Sequence, residues 1–150
     1  MAEDIKGYIQ GLAARARAAA AALVQHTADE KNAALLKIAD ALEAQRAAIV
    51  AANASDVAQA KATGLAPALV DRLTLTDARF AAMVEGVRAV ARLADPVGET
   101  IETRERPSGI TIRKVRVPFG VVAVVFESRP NVHVTALAFV PDAAKFAPPY

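Results

Sequence analysis

The sequence predicts an α/β fold in which an N-terminal helical layer and a β-hairpin arm lead into the first strand of a parallel sheet. Three observations predict this fold. Apolar residues recur at three- and four-residue intervals up to about residue 95, which is the helical period. Two short β-branched runs then flank Pro107-Ser108-Gly109, a trio typical of turns. A continuous apolar run at 121–126 follows, as in a strand covered on both faces.

The first two helices are predicted from their apolar faces and from one capping signal. The first shares one face among Ile5, Ile9, Leu12, Ala16, Ala19 and Leu23. Thr27 and Glu30 have the spacing of a capping box, in which each side chain accepts from the other residue's backbone N–H. A second helix is therefore expected to start there, with an apolar stripe of Leu35, Ile38, Leu42 and Ile49.

Three further helices are predicted before residue 96. Asn53 or Ser55 is expected to cap a short helix that ends in a left-handed turn at Gly64. Pro67 suits the first turn of another short helix through Leu73. Thr76 is expected to cap a longer helix that stops before Asp95-Pro96. The buried face of this last helix is predicted to consist of Phe80, Val84, Val87 and Ala91.

Two strands, 99–105 and 110–117, are predicted to form the hairpin. In the second strand Ile110 and Ile112 face one way, whereas Val115 and Val117 face the other, so the apolar face switches across Arg113-Lys114. Such a strand is expected to be twisted or bulged, or to contact different partners along its length.

Composition excludes several classes of function. The chain has 150 residues, of which 54% are hydrophobic and 23% charged, as in a soluble globular domain. A net charge of +2, with acids interleaved among the bases, makes nucleic-acid binding improbable. No apolar stretch is long enough to cross a membrane, and the acidic start of the sequence does not resemble a signal peptide, so a cytoplasmic location is expected. No cysteine and no clustered metal ligands are present in the sequence, so no metal site is expected.

The best candidate for a functional site is Glu127-Ser128-Arg129-Pro130-Asn131, which follows the predicted strand at 121–126. In open α/β sheets, ligands bind at the carboxyl ends of the strands. A charged, polar loop at that position is therefore expected to face a ligand. The structural alternatives are that Arg129 is a surface arginine on a turn and that Asn131 is an ordinary helix cap.

Four motifs together resemble the gamma-glutamyl phosphate reductase (glutamate-5-semialdehyde dehydrogenase) family. In order along the chain they are Asp71-Arg72-Leu73, Asp95-Pro96-Val97-Gly98, Arg116-Val117-Pro118-Phe119-Gly120 and Glu127-Ser128-Arg129-Pro130-Asn131-Val132. The resemblance covers about residues 5–134. It implies a partial aldehyde dehydrogenase fold, in which 121–126 is the first strand of a Rossmann-like parallel sheet. It also implies that the 99–117 hairpin is an oligomerisation arm and that the intact protein is a homo-oligomer.

The reaction implied by the resemblance is the NADPH-dependent reduction of L-glutamyl 5-phosphate to L-glutamate 5-semialdehyde and phosphate, in proline biosynthesis. A cysteine thiolate attacks the acyl phosphate, and hydride transfer to the resulting thioester follows. Asn131 resembles the side-chain donor of the oxyanion hole. Arg129 is expected to hold the substrate carboxylate or phosphate. Ser128 and Glu127 are expected to orient Arg129 or to approach the nicotinamide, so Ser128 is assigned to the substrate and Glu127 to the cofactor.

The resemblance fades after Val134. Thr135 stands where the family has an aspartate, and Pro141 interrupts an expected helix, so 1–134 is interpreted as the N-terminal part of the nucleotide-binding domain and 135–150 as a divergent tail, truncated or frameshifted. The nucleophilic cysteine is absent and most of the cofactor site is expected to be missing, so the chain alone is expected to be inactive. The alternative is a non-catalytic interaction module that docks onto a partner subunit.

Overall fold

A computed structural model describes residues 4–125, 129–132 and 134 of the chain. The described part contains the helices α1 (Ile5–Leu23), α2 (Ala28–Ala44), α3 (Arg46–Ala62), α4 (Pro67–Leu73) and α5 (Asp77–Ala91), followed by the strands β1 (Thr100–Glu105) and β2 (Thr111–Val115). These residues divide into two compact units. One unit holds 4–28 and 94–123, and the other holds 29–93, 124, 125, 129–132 and 134.

The first unit contains α1 and the hairpin. Helix α1 begins after Asp4, whose carboxylate accepts a hydrogen bond from the backbone N–H of Gly7 at 2.9 Å. β1 and β2 pair in antiparallel register, and Gly109 in the connecting turn has a φ of +83°, a conformation that glycine adopts without strain. The register shifts between Thr100 and Glu102, opposite Lys114 and Val115. The extra residue, Ile101, belongs to β1, so the irregularity lies opposite the end of β2 rather than in β2, the strand for which the sequence predicted it.

The second unit contains most of the helical half, and its helix ends follow the local signals. Thr63 and Gly64 follow α3, and Gly64 has a φ of +76°. Pro67 occupies the first turn of α4. Thr76 caps α5 by accepting a hydrogen bond from the backbone N–H of Arg79 at 3.2 Å. The predictions for α4 and α5 are therefore confirmed.

The core of the second unit is built mainly on α5. Phe80 and Val84 are fully buried, and Leu35 of α2 is buried with them. The whole cluster of buried residues is Leu35, Ala39, Leu75, Phe80, Met83, Val84, Val87, Val90 and Ala91. The guanidinium of Arg46 covers the Phe80 ring at 5.2 Å from its centroid and forms an ion pair with Asp77 at 3.0 Å. The predicted buried face of α5 is confirmed in full.

The prediction that Asn53 or Ser55 caps a short third helix is wrong. The sequence predicted one long helix with a continuous apolar stripe from Leu35 to Ile49. In the structure this region forms two helices, because α2 ends at Ala44 and α3 starts at Arg46, with Gln45 between them. Asn53 and Ser55 therefore lie inside α3. The physical reason is that Asn53 satisfies its amide through tertiary hydrogen bonds, to residues 20 and 22 positions along the chain, rather than through a local cap.

The first strand of a parallel sheet is not formed at 121–125. These residues belong to no strand and are exposed, and Phe126 lies outside the described residues. A strand requires a hydrogen-bonded neighbour, and the part of the chain that the structure describes supplies none for this segment. The prediction for 121–125 is therefore corrected to a segment without regular secondary structure, although the fold class as a whole agrees with the comparisons given below.

Within the described ranges, no helix combines the length and the hydropathy that a membrane crossing requires. The division into 1–134 and a divergent tail at 135–150 stays a prediction, because the tail lies outside the described residues.

Candidate functional site

A cavity of about 370 Å³ lies within the second unit. Its lining residues come from the α4–α5 region, from one face of α5 and from the segment at 129–131. They are Arg72, Thr74, Leu75, Arg79, Ala82, Met83, Gly86, Arg129, Pro130 and Asn131. A volume in this range is typical of small-molecule sites.

The face of α5 that lines the cavity is set by helical periodicity. Arg79, Ala82, Met83 and Gly86 lie at intervals of three and four residues, so they share one side of the helix. Met83 is buried and belongs to the core, whereas Arg79, Ala82 and Gly86 are exposed. The cavity therefore has an apolar side that is continuous with the core and a polar rim.

Three of the lining residues are arginines, and none of the described residues that line the cavity is acidic. The guanidinium of Arg79 is held in place: Nη1 donates to the backbone carbonyl oxygens of Asp71 and Thr74, the latter at 2.9 Å, and Nη2 donates to the Asp71 carboxylate at 3.0 Å. Arg72 is exposed, and its side chain makes no hydrogen bond or ion pair with any other described residue. The described lining of the cavity is therefore cationic, and the guanidinium of Arg79 is fixed in it.

The side chain of Asn53, which is 8% exposed, forms two hydrogen bonds with the connection between α4 and α5. Its Nδ2 donates to the carbonyl oxygen of Leu73 at 2.9 Å, and its Oδ1 accepts from the backbone N–H of Leu75 at 2.7 Å. One side chain thus satisfies a donor and an acceptor of the segment that supplies Thr74 and Leu75 to the cavity.

Replacement of Asn53 by alanine is expected to lower the free energy of unfolding of the second unit by about 2–4 kcal/mol, because both backbone groups lose their partner where water does not easily replace it. Urea denaturation measures the loss, and hydrogen exchange at the Leu75 amide should accelerate. The control is Gln59→Ala, which removes an exposed amide from the same helix and is expected to change stability by about 0.5 kcal/mol or less. Equal losses in the two variants would contradict the role of Asn53.

Two of the four residues predicted to form the site can be placed. Arg129 and Asn131 both line the cavity and both are exposed. Glu127 and Ser128 lie outside the described residues. Pro130, Asn131 and Val132 are helical, and the Val132 N–H donates to the carbonyl oxygen of Arg129 at 3.1 Å. Asn131 is thus inside a helical turn, so the alternative that it is an ordinary helix cap does not describe it.

Of the ten described residues that line the cavity, only Arg129 and Asn131 were predicted to bind a ligand. Arg72 was part of a motif without an assigned function, whereas Arg79 and Gly86 were not singled out. One feature of the sequence could have indicated these residues. In α5, Arg79 and Gly86 lie on the same side of the helix as the buried Met83, where further apolar residues would be expected in a core face. Among the described residues, no three His, Cys, Asp or Glu side chains are grouped so as to hold a metal ion.

Comparison with known proteins identifies relatives of this chain. The gamma-glutamyl phosphate reductase of Bradyrhizobium sp. (strain ORS 278) is 53% identical over 129 residues, which are 86% of this chain and 30% of that protein. The crystal structure of the gamma-glutamyl phosphate reductase of Saccharomyces cerevisiae matches with a TM-score of 0.85 at 40% identity, over 90% of this chain and 34% of that one. The Thermotoga maritima enzyme matches with a TM-score of 0.81 at 40% identity, over 88% and 32%. No protein-family model matches the chain.

In sequence and in fold the chain is similar to one part of the gamma-glutamyl phosphate reductases. This similarity confirms the resemblance given by the four motifs. The chain spans about a third of the length of the relatives that it matches. The helices and the two-stranded antiparallel sheet agree with the corresponding part of those structures, which confirms the fold class.

Proposed function

We propose that this chain contributes one wall of the active site in a gamma-glutamyl phosphate reductase. The reaction is the reduction of L-glutamyl 5-phosphate to L-glutamate 5-semialdehyde, with release of phosphate, in proline biosynthesis. The observation that supports this proposal is the placement of Arg129 and Asn131 on a cationic cavity, in a chain that is 53% identical to a reductase of that name. A cytoplasmic location and NADPH as the reductant are parts of the same proposal.

The chemistry divides between this chain and residues that it does not contain. A thiolate attacks the acyl carbonyl carbon, the bond between carbon and the phosphate oxygen breaks, and a thioester remains. Because the chain has no cysteine, this thiolate must come from elsewhere in a complete enzyme. NADPH, when bound, supplies the hydride that reduces the thioester. Glu127, assigned to the cofactor, lies outside the described residues.

The role of this chain's residues is to bind and polarise the substrate. Negative charge grows on the carbonyl oxygen during thiolate attack, and an amide N–H directed at that oxygen stabilises it. Asn131 is assigned this role by the resemblance of its motif, and Asn131 lines the cavity. Arg129 is assigned to the substrate carboxylate or phosphate, since a guanidinium matches either group with paired N–H donors. Ser128 stays assigned to the substrate beside it.

A chimera tests this function. In the Bradyrhizobium reductase, the matched region is replaced by the 129 homologous residues of this chain, so that the cysteine and the remaining fold come from the relative. The chimera is expected to reduce NADP⁺ with glutamate 5-semialdehyde and phosphate, whereas the 150-residue chain alone is expected to give no turnover. A folded chimera without activity would contradict the proposed function, and turnover by the chain alone would contradict the division of roles.

A second candidate function is a non-catalytic module that docks onto a partner subunit. The observation that favours it is the hairpin, where both strands are exposed along their whole length, including the apolar side chains of Ile101, Ile112 and Val115. The homo-oligomer implied by the resemblance would use the same surface. Co-elution of the 150-residue chain with the intact Bradyrhizobium reductase in gel filtration supports this candidate, and separate elution contradicts it.

A further inference from the structure

We propose that the cavity in the second unit is an oxyanion subsite, in which Arg72 and Arg129 contact the anion beside the fixed guanidinium of Arg79. The proposal rests on the proposed function in one respect: the anion is identified with the carboxylate or the phosphoryl group of glutamyl phosphate. It assigns binding roles to Arg72 and Arg79, and it assigns to Gly86 the role of keeping the cavity open.

The charge of the cavity favours an anionic ligand. Every titratable residue among its described lining residues is an arginine. Among the described residues, the acidic group bonded to these arginines is the Asp71 carboxylate, which accepts from Arg79 but does not line the cavity. In this part of the chain three guanidinium groups therefore outnumber one carboxylate, and an oxyanion is the ligand that completes such a set.

The orientation of Arg79 also favours binding. Its hydrogen bonds to other described residues use both N–H groups of Nη1 and one of Nη2, so that part of the chain leaves two of its five donors for another acceptor. The backbone carbonyls of Asp71 and Thr74 hold this guanidinium against the end of α4. A donor that is already held loses little conformational freedom when a ligand binds, which favours binding.

Gly86 supplies an independent observation. Glycine in the interior of a helix is less stable than alanine there, and Gly86 lies well inside α5. Packing does not require it, because a Cβ added at this position would meet no atom within 4 Å. Since Gly86 lines the cavity, its missing side chain leaves space for a ligand at the expense of helix stability.

The test measures anion binding to the 150-residue chain by NMR, at constant ionic strength. Inorganic phosphate and L-glutamate are titrated separately, and the backbone amides of α4 and α5 report saturation. The charge variant is Arg72→Gln, because Arg72 has no other partner among the described residues. Its matched control is Arg92→Gln, which removes the same charge from an ion pair with Glu85 outside the cavity.

Saturable binding that Arg72→Gln weakens about tenfold, and that Arg92→Gln leaves unchanged, supports the subsite. A response to phosphate alone assigns it to the phosphoryl group, and a response to glutamate alone assigns it to a carboxylate. A second variant, Gly86→Leu, is expected to keep or raise the melting temperature, because leucine favours the helix, and to weaken binding by filling the cavity.

Absence of saturation with both anions, or equal weakening by Arg72→Gln and Arg92→Gln, would overturn the subsite. Unchanged binding in a folded Gly86→Leu variant would do the same. These outcomes are separate from the activity of the chimera. An active chimera with no anion binding by the chain refutes the subsite alone, whereas binding by the chain with an inactive chimera refutes the proposed function alone.

Discussion

Replacement of Phe80 by alanine is expected to lower the free energy of unfolding of the second unit by about 3–5 kcal/mol. Phe80 is fully buried in the core formed by α2, α5 and Leu75, and its ring is covered by the Arg46 guanidinium. Removal of the ring leaves a cavity that helices fixed by their other contacts cannot close, and it also removes the cation–π contact. Because small domains are stable by about 5–15 kcal/mol, a loss of this size is a large part of the total.

Chemical denaturation of the 150-residue chain measures this loss. The control is Leu36→Ala, which truncates an apolar side chain of the same unit that is 45% exposed. It is expected to cost less than about 1 kcal/mol, because the truncated side chain is already largely in water. If both variants lost the same free energy, the core would not lie where the structure places it.

Replacement of Asn131 by alanine in the active chimera is expected to lower kcat by about 10²–10³-fold. The side chain is assigned to an oxygen that carries its full negative charge only after thiolate attack, so its loss should act on the reaction barrier more than on substrate binding. The KM for glutamate 5-semialdehyde is therefore expected to change little. Steady-state kinetics in both reaction directions provide the measurement.

Two variants separate this effect from a loss of structure. Asn131→Asp keeps the shape of the side chain but offers no N–H donor when ionised, so it is expected to lose as much kcat as the alanine variant. Gln59→Ala removes an exposed amide on α3 and is expected to leave kcat unchanged. Since Asn131 is exposed, its replacement is expected to change the free energy of unfolding by about 1 kcal/mol or less, so all variants should be folded under the assay conditions. An alanine variant with the kcat of the unsubstituted chimera would remove Asn131 from the reaction.

The parts of the fold that sequence predicts well are those fixed by neighbouring residues. Thr76 caps α5 through a hydrogen bond to a residue three positions away, and the stripe through Phe80 and Val84 depends only on the helical period. Asn53 shows the opposite case. Its partners are 20 and 22 residues along the chain, so a local reading gave it the role of a helix cap, which asparagine commonly has.

The apolar run at 121–126 shows the same limit for strands. Its composition is that of a buried strand, but strand formation depends on a neighbour whose position no local pattern encodes. The hairpin was predictable because its two strands are joined by a tight turn at Gly109.

The candidate site was predicted in part. Arg129 and Asn131 follow from a motif, and both line the cavity. Arg79 and Gly86 belong to a helix whose apolar pattern is explained by its buried face, so the arginine and the glycine on its exposed side were not taken as a signal of a site. Their contribution depends on α4, α5 and the 129–131 segment being brought together, which is a tertiary property.

The segment 121–125 also bears on the fate of the chain in a cell. Val125 is 99% exposed, and residues 121–125 make no backbone hydrogen bond with another described residue. Exposed aliphatic side chains next to backbone groups that lack a strand partner are bound by chaperones. They also promote cross-β aggregation. The soluble fraction of the expressed chain is therefore expected to depend on how quickly this segment is covered during synthesis. The Val125→Lys variant is expected to raise that fraction, measured as protein in the supernatant against protein in inclusion bodies.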